Sequence, residues 1–213
     1  MMYPSYIIDN FFDNPDTIVK LANSIPFPHK GDQSPGERTN TLHKTHNDFF
    51  EWSALRMLSA IFPGEKFNFI AKASFQKISK NLSEVDFIHQ DTKAKLTAIV
   101  YLDKNGINGT SLFKPKTFIT LGLKDSTKYD YFKSPEKYKR DKLKELQREK
   151  EALHDRFDET LSVSGMYNRL FMFDGHQYHS QHPNTNKEER LTYIVFFSKI
   201  ESLNAPLEIM RKI

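Results

Sequence analysis

The chain has 213 residues, with 31 Lys plus Arg against 27 Asp plus Glu, and a formal charge of +4. It contains no Cys, which excludes disulfides, thiolate metal sites and a cysteine nucleophile; no apolar run reaches the roughly 20 residues that a membrane-spanning helix needs. The length suits one compact domain, and 18 Phe with nine Tyr can build its core despite a hydrophobic content of only 38%.

Met1-Met2-Tyr3-Pro4-Ser5 lacks the basic and apolar regions of a signal peptide, so a cytoplasmic location is expected. The stretch from Ser5 to Phe12 is β-rich and predicts a first strand. Asn14 is placed to cap a short helix with Pro15 at its first position, and Ile18, Val19, Leu21 and Ala22 as its apolar side. Residues 26–48 read as a polar loop with a turn at Ser34-Pro35-Gly36, and the spacing of His29, His43 and His46 there argues for surface or hydrogen-bonded histidines. Asp48 to Phe62 predicts a helix whose core stripe is Phe49, Phe50, Trp52, Leu55, Met57, Leu58 and Ile61.

From Lys66 the period changes to two, through Phe67, Phe69, Ala71, Ala73 and Phe75, followed by a turn at Lys80-Asn81-Leu82-Ser83. Lys95 to Leu102 is apolar on both faces, as a strand inside a packed sheet should be. Asp103-Lys104-Asn105-Gly106 is a turn, and strands are expected at Gly109–Phe113 and Thr117–Leu123. Ser134 to Asp158 predicts a long solvated helix with a thin apolar stripe, an inert insertion or a lid or dimerisation arm, and it is expected to border the functional site. Strands return at Thr160–Val163 and Asn168–Phe173, and a loop carries His176, His179 and His182. Arg190 to Ser198 closes the pattern, with Arg190, Thr192, Ile194 and Phe196 on one face and Leu191, Tyr193, Val195 and Phe197 on the other. The expected fold is mainly β with flanking helices, a double-stranded β-helix or jelly roll. Residues 1–65 would form helical support and residues 66–200 the β-core, with an insertion at 124–160.

One tripeptide has chemical potential. In a strand, residues i and i+2 point to the same side, so His89-Gln90-Asp91 can direct an imidazole and a carboxylate at one point. Two His and one carboxylate on one face of an octahedron hold non-haem iron(II) and leave positions open. The second His must come from elsewhere, and His176, His179 and His182 all lie within seven residues. Arg190 follows, and its planar fork matches a carboxylate bidentately.

Together these motifs resemble the 2-oxoglutarate/Fe(II)-dependent oxygenase superfamily, in its prolyl-hydroxylase-like branch, and are most similar to small oxygenases of phages and marine microbes. The resemblance rests on His89-Gln90-Asp91, Val100-Tyr101-Leu102-Asp103, Gly109-Thr110, Asn168 to Gly175 leading to His179, and Arg190-Leu191-Thr192. Ile7 to Phe12 and Ser34 to Thr39 also look like the N-terminal part of such proteins. It implies iron binding by His89, Asp91 and His179, with His182 in reserve, and binding of the distal carboxylate of 2-oxoglutarate by Arg190, aided by Tyr101 and Thr192. The implied reaction consumes O2, decarboxylates 2-oxoglutarate to succinate and CO2, and hydroxylates a peptidyl or free amino-acid C–H. Two alternatives remain open: a nucleic-acid-modifying oxygenase, although no base-reading motif is visible, and a non-enzymatic cupin-like metal-binding module. A cupin would tend to place more than two His around its metal and would not need Arg190. The substrate is not legible, and either a monomer or a homodimer fits.

Overall fold

The computed structural model describes residues 4–30, 36–78, 87–106, 109–117, 140–182 and 189–202. The turn expected at 80–83, most of the strand expected at 117–123 and the expected helix start at Ser134 lie outside these residues.

Two antiparallel sheets face each other. The larger runs β1 (Tyr6–Ile8), β8 (Leu170–Asp174), β5 (Leu96–Tyr101), β10 (Arg190–Ser202), β4 (Phe67–Ile78), β3 (Glu37–Arg38) and β2 (His29–Lys30) in that spatial order. The smaller runs β7 (Phe157–Val163), β6 (Thr110–Pro115) and β9 (Tyr178–Gln181). Four helices complete the described chain: α1 (Pro15–Ser24), α2 (Leu42–Thr45), α3 (Asn47–Ile61) and α4 (Arg140–His154).

The period of two along β10 sorts its residues between two environments. Tyr193, Val195 and Phe197 join Phe75, Ala98, Val100, Leu170 and Met172 against Ala22 of α1 and Phe50, Ala54, Met57 and Leu58 of α3. Ile194 instead joins Ile99, Tyr101, Phe171 and Phe173, which meet Leu112 and Val163 of the smaller sheet. A strand covered on both faces has no use for a polar side, so every residue of β5 is buried. The aromatic content is concentrated under α3, where Phe49, Phe75 and Tyr193 have ring centroids 5.2–5.9 Å apart. The Tyr193 hydroxyl is rescued from burial by Ser53 Oγ at 2.6 Å.

Some expectations are corrected. Asn14 caps α1 as foreseen, its side chain accepting from Thr17 N at 3.3 Å. β1, however, ends at Ile8, because Asn10 turns the chain with φ +54°. In α3, Trp52 and Leu55 are exposed, whereas Ser53 and Ala54 take the buried positions. The stretch 26–48 is not simply a loop, since β2 and β3 extend the larger sheet beyond β4. The helix expected to reach Asp158 stops at His154, and Phe157 already belongs to β7. Its last turn lays His154 against Phe113 at 5.5 Å. Phe113 is paired with Tyr178, one residue out of phase with His179, so this turn packs on the outer face of the smaller sheet.

Asn168 ties the N-terminal segment to the sheet end. It sits in the left-handed region at φ +62°, which Asn tolerates better than most residues. Its amide accepts from Phe12 N and donates to Phe12 O, both at 2.8 Å. Replacing it by Ala should strand two buried backbone groups and cost about 3 kcal/mol. A urea unfolding midpoint measured for Asn168→Ala checks this.

Candidate metal centre

His89 and His179 are brought together by backbone, not by side chains. Each donates its N–H to the other's carbonyl at 2.9 Å, an isolated antiparallel bridge on the free edge of β9. Residues directly opposite in an antiparallel pair project to the same face, and the two rings lie 4.3 Å apart. His179, expected on a loop, is therefore held inside strand β9. Asp91 lies past the bridge, at the start of a turn, donating its N–H to Gly175 O at 2.7 Å and accepting from Ala94 N at 2.8 Å. Gly175 is required there, because a Cβ would fall 2.3 Å from Ala94 O.

The side chains converge. His179 Nε2 is 3.4 Å from Asp91 Oδ2, and His89 Nε2 is 4.0 Å from Asp91 Oδ1. One donor atom from each residue lies within 4.8 Å of the others. Both Nδ1 atoms sit 2.9 Å from backbone carbonyls, those of Phe87 and Gln177. A carbonyl only accepts, so each Nδ1 carries a proton, and in the neutral imidazole each Nε2 then presents its lone pair beside Asp91, the arrangement that orients metal-binding imidazoles. Thr97 Oγ1 donates to Asp91 Oδ2 at 2.8 Å, fixing the carboxylate. Burial alone would raise the Asp91 carboxyl, but while the imidazoles are protonated the hydrogen bond and charge of His179, then the charge of His89 and the Thr97 hydroxyl, hold it well below the usual carboxylate range. The donor set, two neutral nitrogens and one anionic oxygen, fits a divalent first-row metal.

Arg190, Tyr101 and Thr192 share the face of the larger sheet that looks toward the smaller one. Thr192 pairs with Tyr101 across β10 and β5, and Arg190 precedes Thr192 by one period. The guanidinium carbon lies 5.5 Å from the Tyr101 ring centroid. Nη1 donates to Gln181 Oε1 at 2.9 Å and Nη2 to Gly109 O at 3.4 Å, whereas the buried Nε has no acceptor among the described residues. Burial pulls the guanidinium below its ordinary value, opposed by Tyr101 and Asp103. The Tyr101 hydroxyl donates to Thr110 Oγ1 at 2.8 Å, and burial pushes its pKa up. A buried N–H left without an acceptor costs about 1–3 kcal/mol, so this end of the cleft favours an incoming anion.

The other sequence candidates are placed elsewhere. His182 Nδ1 accepts from Gly109 N at 3.3 Å, which leaves the proton on Nε2, 2.8 Å from Ser111 Oγ and 3.2 Å from Ser162 Oγ. It stitches the smaller sheet together. Arg169 is occupied by a two-pronged pair with Asp9 at 2.6 and 3.0 Å. His29 meets Asn40, and His46 meets Thr45. Sequence reasoning missed Thr97, whose only signal was a hydroxyl on an otherwise apolar strand, and Gln181.

The family of unknown function DUF6445 matches residues 2–193. The chain belongs to that family. No curated protein matches the sequence. Among solved structures, a prolyl 4-hydroxylase from Phytophthora capsici is similar with a TM-score of 0.51 and 12% identity, over 94% of this chain and 59% of that one. A Trichoplax adhaerens prolyl hydroxylase, solved with a peptide fragment of a hypoxia inducible factor oxygen degradation domain, is similar at 0.52 and 10% identity, over 91% and 82%. HygX from Streptomyces hygroscopicus, solved with nickel and 2-oxoglutarate bound, is similar at 0.53 and 10% identity, over 91% and 82%. At such identities the shared property is the fold alone: this DUF6445 chain has the fold of these prolyl hydroxylases and of HygX. The chain spans less than two thirds of the Phytophthora enzyme.

If a divalent ion sits on the three donors, the Thr97 hydroxyl is worth measuring. Thr97→Val should weaken Co(II) binding about tenfold by calorimetry while the fold persists, because loss of a group that orients a ligand typically costs that much or more.

Proposed function

We propose that this protein is an Fe(II)- and 2-oxoglutarate-dependent dioxygenase that hydroxylates a peptidyl or free amino-acid C–H and releases succinate and CO2. The observation that carries the reading is the His89–Asp91–His179 cluster with both Nδ1 protons already committed to carbonyls. With both Nδ1–H groups donated to carbonyls, loss of the remaining ring protons turns both Nε2 lone pairs toward one carboxylate, which is the donor set a metal takes. In this reading the two facing sheets are a double-stranded β-helix and the chain is one oxygenase domain.

His89, Asp91 and His179 would hold the iron. When bound, iron(II) would supply the activation of O2 and the oxidative chemistry on 2-oxoglutarate and substrate. Arg190 would receive the distal carboxylate of 2-oxoglutarate, exchanging its bond to Gln181 Oε1 for a charge-assisted one. Tyr101 backs that guanidinium with its ring and keeps its hydroxyl in the same polar row as Thr192 and Thr110. Phe173, with its ring centroid 4.7 Å from that of His179, and Phe171 keep water from that side of the cluster. His89 and Asp91 are only half-buried, which leaves an open approach for substrate.

Among the described residues no helix is long and apolar enough to cross a membrane, and we read the partners as small molecules or peptides. The test is succinate formation from 2-oxoglutarate with Fe(II). His89→Ala should lower turnover at least about a hundredfold, and Arg190→Ala should raise the KM for 2-oxoglutarate about tenfold or more. If neither variant differs from wild type, the oxygenase reading is wrong.

A further inference from the structure

One cation in the cleft, half-buried with its Nε enclosed, has no part in the scheme above. Arg38 lies on β3, a strand that pairs with β4 and places Arg38 opposite Gln76. Gln76 is opposite Thr192, and Thr192 is opposite Tyr101. The row Arg38–Gln76–Thr192–Tyr101 therefore faces the smaller sheet, with Arg38 at its outer end. From there the side chain reaches along the sheet, its guanidinium carbon 5.5 Å from the Phe196 ring centroid. Phe196 pairs with Thr97, the residue whose hydroxyl holds Asp91. Arg38 thus lies on the wall beside the metal cluster, across the sheet from Arg190.

Its environment is unusual for an arginine. The Nε is enclosed and finds no acceptor, and Arg38 makes no ion pair among the described residues. Burial draws the guanidinium down to about 10, and the Asp91 carboxylate acts in the opposite direction. Gly36, at φ +78°, allows β3 to approach this closely, since a Cβ would fall 2.0 Å from Lys77 O. A partly enclosed charge without a direct partner is costly, and among the described residues Asp91 acts on Arg38 only from beyond ion-pair distance. In the proposed complex the divalent ion, Asp91, the dianionic cosubstrate and Arg190 together cancel, so Arg38 stands as a surplus positive charge on the cleft wall.

We propose that Arg38 binds a carboxylate of the primary substrate and so selects a free amino acid or a peptide C-terminus over an uncharged internal peptide segment. This rests on the oxygenase reading. The planar fork, stacked on Phe196, is pre-organised for two parallel bonds to a carboxylate.

The test is calorimetric binding, without O2, to protein loaded with Mn(II) and 2-oxoglutarate. The probes are the twenty L-amino acids as free acids, as primary amides and as N-acetylated acids. At least one acid should bind about tenfold or more tightly than its amide, the gain expected of a charge-assisted fork. Arg38→Gln should abolish that preference, and Arg38→Lys should keep part of it. Both variants should bind 2-oxoglutarate as wild type does, which also shows that they are folded. Binding of a free acid but not its N-acetyl form supports a free amino acid, and binding of the N-acetyl form supports a peptide C-terminus. The proposal is overturned if no acid binds, if acid and amide bind alike, or if Arg38→Gln leaves the preference intact. It is equally overturned if Arg38→Gln loses 2-oxoglutarate, because the residue then serves the cosubstrate. A wild type that binds neither Mn(II) nor 2-oxoglutarate rejects the oxygenase reading and takes this proposal with it.

Discussion

The two backbone hydrogen bonds between His89 and His179, each 2.9 Å, are the contact around which the rest of the cleft is arranged. They join segments ninety residues apart in the chain, and they fix the two imidazoles on one face before any side-chain interaction is counted. Backbone pairing is strongly directional, so the ring positions inherit the precision of a β-ladder. Asp91 then needs only a turn to arrive at the same point. Gly175 makes room for that turn, and Thr97 holds the carboxylate once it is there.

The larger sheet separates two kinds of packing. One face is dry and aromatic, covered by α1 and α3, and its large buried side chains supply most of the driving force for folding. The other face has an apolar centre, Ile99, Phe171, Phe173 and Ile194, ringed by buried polar groups: Thr97, Gln76, Thr192, Arg190 and, at the margin, Arg38. Buried polar groups weaken a core unless they are satisfied. Several here are satisfied by each other, as with Tyr101 and Thr110, but two arginine Nε atoms find no partner among the described residues. The stability of the helix-covered face is what allows the cleft face to carry that cost, a division common where rigid scaffolds support ligand sites.

Much of this was legible from residue order. The alternation along Arg190–Ser198 assigned the two faces of β10 correctly, because a period of two leaves each residue only two directions. The doubly apolar Lys95–Leu102 stretch marked a strand covered on both sides. Asn14 and Pro15 marked a helix start through local capping chemistry, which depends on a few neighbouring residues. Where tertiary contacts decide, the reading failed. Trp52 and Leu55 fit an apolar stripe but stay partly exposed, and β2 and β3 look polar because a strand of two residues has no pattern to display. Residue spacing alone left His176, His179 and His182 open, and the family resemblance singled out His179, the one the structure places beside Asp91.

By itself, then, the sequence determined the alternation of the strands, the helix caps and the identity of the chemical groups available: a His-x-Asp pair, a later histidine cluster and an arginine opening the last strand. These are local properties, set by side-chain type and a periodicity of two or 3.6 residues. Only the tertiary structure decided which histidine meets Asp91, which ring nitrogens face backbone carbonyls, and that Arg38 rather than Arg169 shares the cleft. Each of those outcomes depends on pairing between segments far apart in the chain, and cross-strand register is a global property that no local pattern encodes.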